Sequence, residues 1–320
     1  MNLAILGIDI AKATFHAALL HNGKLYHHRF DNTQSGFAQL QAWLAKHRVE
    51  RLHACMEATA CYGDDLALFL YKASHTVSIV NPARINGFAQ SELQRNKTDK
   101  LDAAIIARFC QQKQPEAWTP PPPEIQQLQA LVRRLEALQQ MRQQEVNRLE
   151  QAGKQPLIRE SLNTIIATLD AEMARLRQLI KDHIDRHPHL KRDRDLLLSI
   201  PGIGETTAAW LLSEVQVSAY QSARQVAAHA GLTPRHHQSG TSVHGPTHLS
   251  KTGNARLRRA MYMPAVVAKQ YNPIIRAFCQ RLQQRGKRPM EIIGAAMRKL
   301  LHIVYGVLKS GKAFDPSFAS

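Results

Sequence analysis

Four acidic residues fall where cation-assisted chemistry would need them. Asp9 closes the apolar run of residues 3–9, and Glu57 closes the run of residues 51–57. Asp99 and Asp102 stand three apart in a helical pattern, so they share one helix face. Carboxylates gathered in one place repel each other and raise their own pKa values unless a divalent cation sits among their oxygens. Mg²⁺ suits such all-oxygen donors, and a pair of ions can assist both the attacking and the leaving oxygen of a phosphodiester exchange. Asp9 lies inside Leu-Ala-Ile-Leu-Gly-Ile-Asp-Ile, where a buried acid without a partner is costly. Taken singly, Glu57 also reads as an exposed strand end. Asp99 and Asp102 also read as acids favouring a helix N-terminus after Thr98. Asp64, Asp65 and Glu92 compete with the four, and spacing does not exclude them.

The elements that must position these acids alternate between strand and helix patterns. Residues 3–9, 13–20 and 24–30 read as strands. Asn22-Gly23, between the second and third, is a strong hairpin signal. Residues 34–47 form an amphipathic helix with Phe37, Leu40, Trp43 and Leu44 on one face. A strand over 51–57, a helix over 64–73, a strand over 76–80 and a helix over 97–110 follow. Three consecutive strands and then strand–helix units predict a mixed sheet with helices packed on it.

Thr-Pro-Pro-Pro-Pro-Glu at 119–124 cannot continue a helix and marks a stiff boundary. The spacing predicts three segments: 1–118, 119–187 and 188–320. In the middle one, Leu128, Leu131, Leu135 and Leu138 are spaced 3, 4, 3. After a break at Gly153 and Pro156, Leu162, Ile166, Leu169, Met173, Leu176 and Ile180 repeat at coiled-coil spacing. A hairpin within one chain and a dimerising coiled coil both satisfy that stripe. The last segment is helical and basic. Its Pro201-Gly202-Ile203-Gly204 turn, with a helix starting near Thr206, resembles a helix–hairpin–helix turn that can offer backbone N–H groups to a phosphate. A turn that merely packs two helices fits the same residues.

Lys and Arg number 42 against 25 Asp and Glu, a formal charge of +17, and 44% of residues are hydrophobic. The first figure points to a polyanionic partner, nucleic acid being the simplest; the second excludes wholesale disorder. No apolar run reaches the ~18 residues of a membrane span, and the N-terminus does not read as a secretory signal. Cys55, Cys61, Cys110 and Cys279 form no Cys-x-x-Cys pair, which argues against a zinc ribbon or disulfide framework and fits a reducing cytoplasm.

Gly-Ile-Asp-Ile-Ala-Lys (7–12), Met-Glu-Ala-Thr-Ala-Cys-Tyr-Gly (56–63), 81–92 and Arg-Asn-Lys-Thr-Asp-Lys-Leu-Asp-Ala-Ala-Ile-Ile-Ala-Arg-Phe (95–109) resemble the N-terminal domain of the insertion-sequence-110 family of DEDD transposases, the bridge-RNA-guided recombinases. Residues 201–212, 222–245, 250–265 and 296–315 resemble that family's C-terminal domain. The resemblance implies a RuvC-like domain with a ribonuclease-H-type mixed sheet, a helical coiled-coil segment and a mainly helical C-terminal domain. It implies that Asp9, Glu57, Asp99 and Asp102 form a Mg²⁺-binding catalytic tetrad. It also places a serine nucleophile on Ser239, which would form a covalent phosphoserine link to DNA. Residue chemistry alone does not choose Ser239 over Thr241, Ser242 or Ser250. A serine hydroxyl is a weak nucleophile that needs activation. Target and donor DNA, a non-coding bridge RNA and a homo-oligomer (dimer or tetramer) are the implied partners, with the two domains cooperating between protomers. A site completed within one chain fits the residues equally.

Arg95, Lys97, Arg235, Lys251, Arg256, Arg258 and Arg259 bracket these groups and are the candidate nucleic-acid contacts. A solvated basic face is the alternative for each. His236, His237, His244 and His248 lack a clear set of metal-binding partners and read as polar loop groups. Cys279 and Trp210 read as core. Two other functions share the same composition. One is a RuvC-like junction nuclease using water, the other a non-enzymatic architectural protein.

Overall fold

The structure is a computed structural model that describes residues 3–58, 62–92, 98–153, 155–239 and 243–318. The chain divides into two compact units, Met1–Pro121 and Pro122–Ser320.

The first unit runs β1 (Ala4–Ile10), β2 (Thr14–His21), β3 (Lys24–Asp31), α1 (Gln34–Lys46), β4 (Leu52–Glu57), α2 (Asp64–Lys72), β5 (Thr76–Val80), α3 (Pro82–Ser91) and α4 (Asp99–Lys113). The five strands form one mixed sheet in the order β3-β2-β1-β4-β5. β1–β2 and β2–β3 are antiparallel, whereas β1–β4 and β4–β5 are parallel. Asn22 and Gly23 turn the β2–β3 hairpin with φ of 49° and 72°, the left-handed pair that a two-residue turn requires.

Strand alternation sorts the apolar side chains into two cores. Leu6 and Ile8 of β1 pack with Phe15, Ala17 and Leu19 of β2 and with Phe37, Leu40, Leu66 and Leu70 of α1 and α2. Ile5 of β1 packs with Ala18, Cys55, Val80 and the α3–α4 side chains on the opposite face. The result is a sheet between two helical layers. Gly7 sets the second layer's distance. A Cβ built there would lie 2.2 Å from the Ala103 carbonyl oxygen and 2.3 Å from the Ala107 nitrogen, so α4 rests directly on the β1 backbone.

The edge of the sheet at β5 is strapped by the chain that follows α4. The Trp118 N–H donates to the Val77 carbonyl at 2.6 Å. The Ser78 hydroxyl lies 3.1 and 2.7 Å from the carbonyls of Pro115 and Glu116, and His53 Nε2 lies 2.8 Å from it on the other side.

The second unit is mainly helical: α5 (Pro123–Gln151), α6 (Pro156–Arg186), α7 (Pro188–Leu198), α8 (Glu205–Glu214), α9 (Ala223–His229), β6 (Pro234–Ser239), β7 (Val243–Leu249), α10 (Ala255–Ala260), α11 (Tyr262–Tyr271), α12 (Pro273–Gln284) and α13 (Pro289–Ser310). α5 and α6 pack on each other within the chain. Leu128, Leu135 and Leu138 face Met173, Leu176 and Ile180 in one core. Arg142 clamps Asp170 across the pair through two bonds of 2.6 and 3.1 Å. Towards the tip, Leu162, Ile166 and Leu169 are only half-buried. At the glycine turn, Gly202 has φ +105° and no room for a Cβ, which would meet Ala268 Cβ at 2.7 Å. This part of the turn packs on α11. Trp210 and Cys279 are buried in the core.

Two features depart from the sequence expectation. Residues 234–239 and 243–249 are not loop but paired antiparallel strands, β6 and β7, with a register shift between Arg235 and His237. Helix α3 is also additional. Asn81 caps it by accepting from the Ala83 N–H at 2.8 Å, and Pro82 opens it. Among the described residues no helix is long and apolar enough to cross a membrane.

Candidate active site

Asp9 is the penultimate residue of β1. Strand alternation puts it on the same face as Ile5 and Gly7, the face that α4 covers. Glu57 is the last residue of β4. It shares that face with Cys55, and the parallel register through Ile8 and Met56 brings it level with Asp9. Helix α4 begins at this end of the sheet. Thr98 caps it by accepting from the Leu101 N–H at 3.3 Å, and the Asp102 N–H donates to the Thr98 carbonyl at 2.8 Å. Asp99 and Asp102 occupy the first turn, where the helix dipole favours negative charge.

A fifth group joins them from β2. His16 is the direct cross-strand partner of Asp9, and its Nε2 lies 3.5 Å from Asp99 Oδ2. Diagonal to it on β3, His27 is held below the ordinary imidazole range by burial first, then by Lys100 and His16. The acids therefore sit beside a basic fringe of His16, His27 and Lys100. His16 carries no spacing signal of its own in the sequence. Counting back through the β1–β2 turn, whose Ala11 N–H donates to the Thr14 carbonyl at 2.9 Å, would have placed it opposite Asp9.

The four acids share a face and one end of the sheet. Among the described residues, no three His, Cys, Asp or Glu side chains form a group that could hold a metal ion. In donor chemistry they suit a hard divalent ion, since each offers carboxylate oxygen alone.

In the second unit, Ser239 is the last residue of β6, paired with Val243. The base of this hairpin is closed by the Ser250 N–H donating to Thr233 O at 2.8 Å and the Lys251 N–H to Gly231 O at 3.1 Å. The loop then crosses the end of α9 so closely that a Cβ on Gly253 would lie 2.3 Å from the His229 carbonyl oxygen. Asn254 caps α10 by accepting from Arg256 and Leu257 N–H groups, both at 3.0 Å.

The candidate nucleic-acid contacts divide. Arg235, Lys251 and Arg256 are exposed. Arg259 is exposed with its guanidinium 3.9 Å from Glu136. Arg258 Nη1 donates to the carbonyls of Ala230 and Lys251 at 3.1 and 3.2 Å, so that end of its guanidinium is engaged in tying the loop down. Arg95 and Lys97 lie outside the described residues, as do Thr241 and Ser242.

Comparison with known proteins covers both units. An IS110 DEDD model described as a transposase matches residues 6–155, and a second, described as the transposase IS116/IS110/IS902 family, matches 194–280. The pilin gene-inverting protein of Moraxella bovis is 37% identical over 320 residues, covering 98% of each chain. The transposase for insertion sequence element IS1328 of Yersinia enterocolitica is 26% identical, covering 98% of this chain and 99% of that one. An uncharacterized insertion element IS110 protein of Streptomyces coelicolor is 29% identical over 51% of this chain.

Proposed function

The chain belongs to the IS110 family of transposases, enzymes that act on DNA, and from that premise we propose that it is a site-specific recombinase cutting and rejoining DNA strands through a phosphoserine intermediate. The observation that carries the reading is the placement of Asp9, Glu57, Asp99 and Asp102 on one face and at one end of the first unit's sheet. That placement and the strand order support a RuvC-like catalytic domain.

In this reading the four carboxylates hold Mg²⁺. Bound there, it supplies positive charge to the phosphoryl group in transfer. Thr98 caps the start of α4 and so fixes the first turn that carries Asp99 and Asp102. Gly7 keeps α4 close enough to the sheet for its first turn to face Asp9. Ser239 at the end of β6 provides the nucleophile. Its Oγ–H proton passes to a base, Oγ forms a bond to phosphorus, and one P–O ester bond of the DNA breaks, its oxygen leaving as a hydroxyl. Rejoining runs the same inventory backwards with a different hydroxyl, so no bond energy is lost to water. The same inventory serves insertion of an element and inversion of a segment. A pilin gene-inverting relative at 37% identity supports extending the reading to both.

Lys251, Arg256 and Arg259 grip the phosphates. A non-coding RNA pairs with target and donor DNA and selects the sites, which accords with a chain of formal charge +17 without an evident base-reading motif. The working form is a cytoplasmic homo-oligomer.

The test is a suicide DNA substrate incubated with Mg²⁺ and the guide RNA. Wild-type protein should form a denaturant-resistant protein–DNA adduct that Ser239→Ala does not form. Cleavage by Ser239→Ala at the wild-type rate, with no adduct from either protein, would mean that water is the nucleophile and the enzyme is a junction nuclease.

A further inference from the structure

An acid at the wrong end of a helix needs a reason. Glu214 is the last residue of α8, where the helix dipole disfavours negative charge. Its side chain is only 9% exposed. The Asn254 side chain donates to Glu214 Oε2 at 2.7 Å, and Arg133 of α5 approaches Oε1 at 3.9 Å. Among the described residues, Oε1 and Arg133 Nε have no hydrogen-bond partner. A buried ionic group of this kind is weak evidence for stabilisation, and fixing a local geometry is a role it can serve instead.

The geometry in question is that of the basic helix. Asn254 uses its amide twice. Its oxygen caps α10 through Arg256 and Leu257, and its nitrogen is held by Glu214. Its own N–H is anchored on the His229 carbonyl at 2.6 Å. Fixing the Asn254 amide fixes where α10 begins and how it is rotated. Arg256 and Arg259 stand three apart on that helix and share a face. Lys251, with φ +54°, opens the same loop and is held by the Arg258 bond to its carbonyl.

We propose that Glu214 is a positioning residue for DNA binding: through Asn254 it locks the start of α10 so that Lys251, Arg256 and Arg259 meet the phosphates of one duplex together. The proposal rests on the reading of α10 as a phosphate grip. It carries an unusual sign. A carboxylate acting only by its charge repels DNA, so removing it would tighten binding. A carboxylate acting by position weakens binding when removed.

The experiment measures binding of the full chain to a short duplex DNA as a function of KCl. Each phosphate contact contributes a slope of about −0.9 in log K against log salt. Glu214→Ala should bind more weakly at low salt, with a slope shallower by about one to two contacts. Glu214→Gln keeps an oxygen for the Asn254 amide and should match wild type. Asn254→Ser keeps a capping oxygen but loses the N–H given to Glu214, so it should reproduce Glu214→Ala even if that variant folds poorly. Wild-type or tighter binding by Glu214→Ala or Asn254→Ser, with an unchanged slope, overturns the proposal. So does failure of Glu214→Gln to restore the slope. A combined Lys251→Ala, Arg256→Ala, Arg259→Ala variant separates the two levels. If it binds like wild type, the grip itself is misplaced and the proposal falls with it. If it is defective while Glu214→Ala is not, only the role of Glu214 is wrong.

Discussion

The two units hold their functional groups by opposite means. In the first, Asp9 and Glu57 hang from strands with apolar cores on both faces, and α4 is seated on bare backbone at Gly7. In the second, the candidate nucleophile ends strand β6, Arg256 and Arg259 sit on a six-residue helix started by an asparagine that a glutamate holds, and Lys251 sits in a loop tied by an arginine. Apolar packing is non-directional and tolerates little displacement in a dense interior. Polar ties are directional and individually modest. A rigid acidic centre and a ligatable basic arm are what a recombinase needs if the arm must take hold of different DNA ends in turn.

Asp9→Asn should leave folding intact and lower Mg²⁺-dependent strand transfer by roughly a thousandfold, since losing several kcal/mol of charge stabilisation has that effect. A gel assay that finds less than a tenfold loss would remove Asp9 from the chemistry. Gly7→Ala should strongly destabilise the first unit. Because the obstruction is backbone, the cost should reach or exceed the ~3 kcal/mol upper end of overpacking, read by calorimetry. As its control, Gly87→Ala in α3, where a Cβ meets nothing within 4 Å, should stabilise by about 0.4–1 kcal/mol.

The second unit should yield to losses of polar ties. Asn272 is buried and caps α12 through Ile274 and Ile275 N–H groups at 3.1 and 3.2 Å. Asn272→Ala should cost about 1–2 kcal/mol. The smallest effect is acidic. His183 is buried with Nε2 2.8 Å from the Glu124 carbonyl, and burial holds its pKa below 6.5. The unfolded chain therefore takes up a proton that the folded one resists. Stability is complete above about pH 6.5 and falls as pH drops towards the folded pKa. Each kcal/mol lost lowers the melting temperature of a unit this size by about 2–4 °C. His183→Gln should flatten that acid limb, and an unchanged limb would assign it to other groups.

Much of the first unit could be read in the chain because its signals are periodic. The Asn22-Gly23 turn, the alternation along β1 and the helical face of Phe37, Leu40 and Leu44 all follow from burial on one side. Helix α3 escaped because Gly87 weakens its pattern, although Asn81 and Pro82 carried a start signal. The β6–β7 hairpin escaped for a stronger reason. Pro-Arg-His-His-Gln-Ser and Val-His-Gly-Pro-Thr-His-Leu have little apolar alternation, so nothing in hydrophobic pattern marks them as strands. The acids were visible because a charge inside an apolar run is anomalous. A serine in a polar stretch is not, and Ser239 came only through family resemblance. Glu214 was invisible because its partner, Asn254, is forty positions away.

The strap along β5 bears on where the first unit can be separated from the rest. A fragment ending at Lys113 would retain all four acids yet leave the Val77 carbonyl and the Ser78 hydroxyl uncovered on a bare strand edge, a template for pairing with other chains. Carried on to Pro121, the fragment keeps Trp118, Pro115 and Glu116 over that edge. The boundary of the first unit is thus set by the bond that closes the sheet, at Trp118, five residues after the helix that bears Asp99 and Asp102.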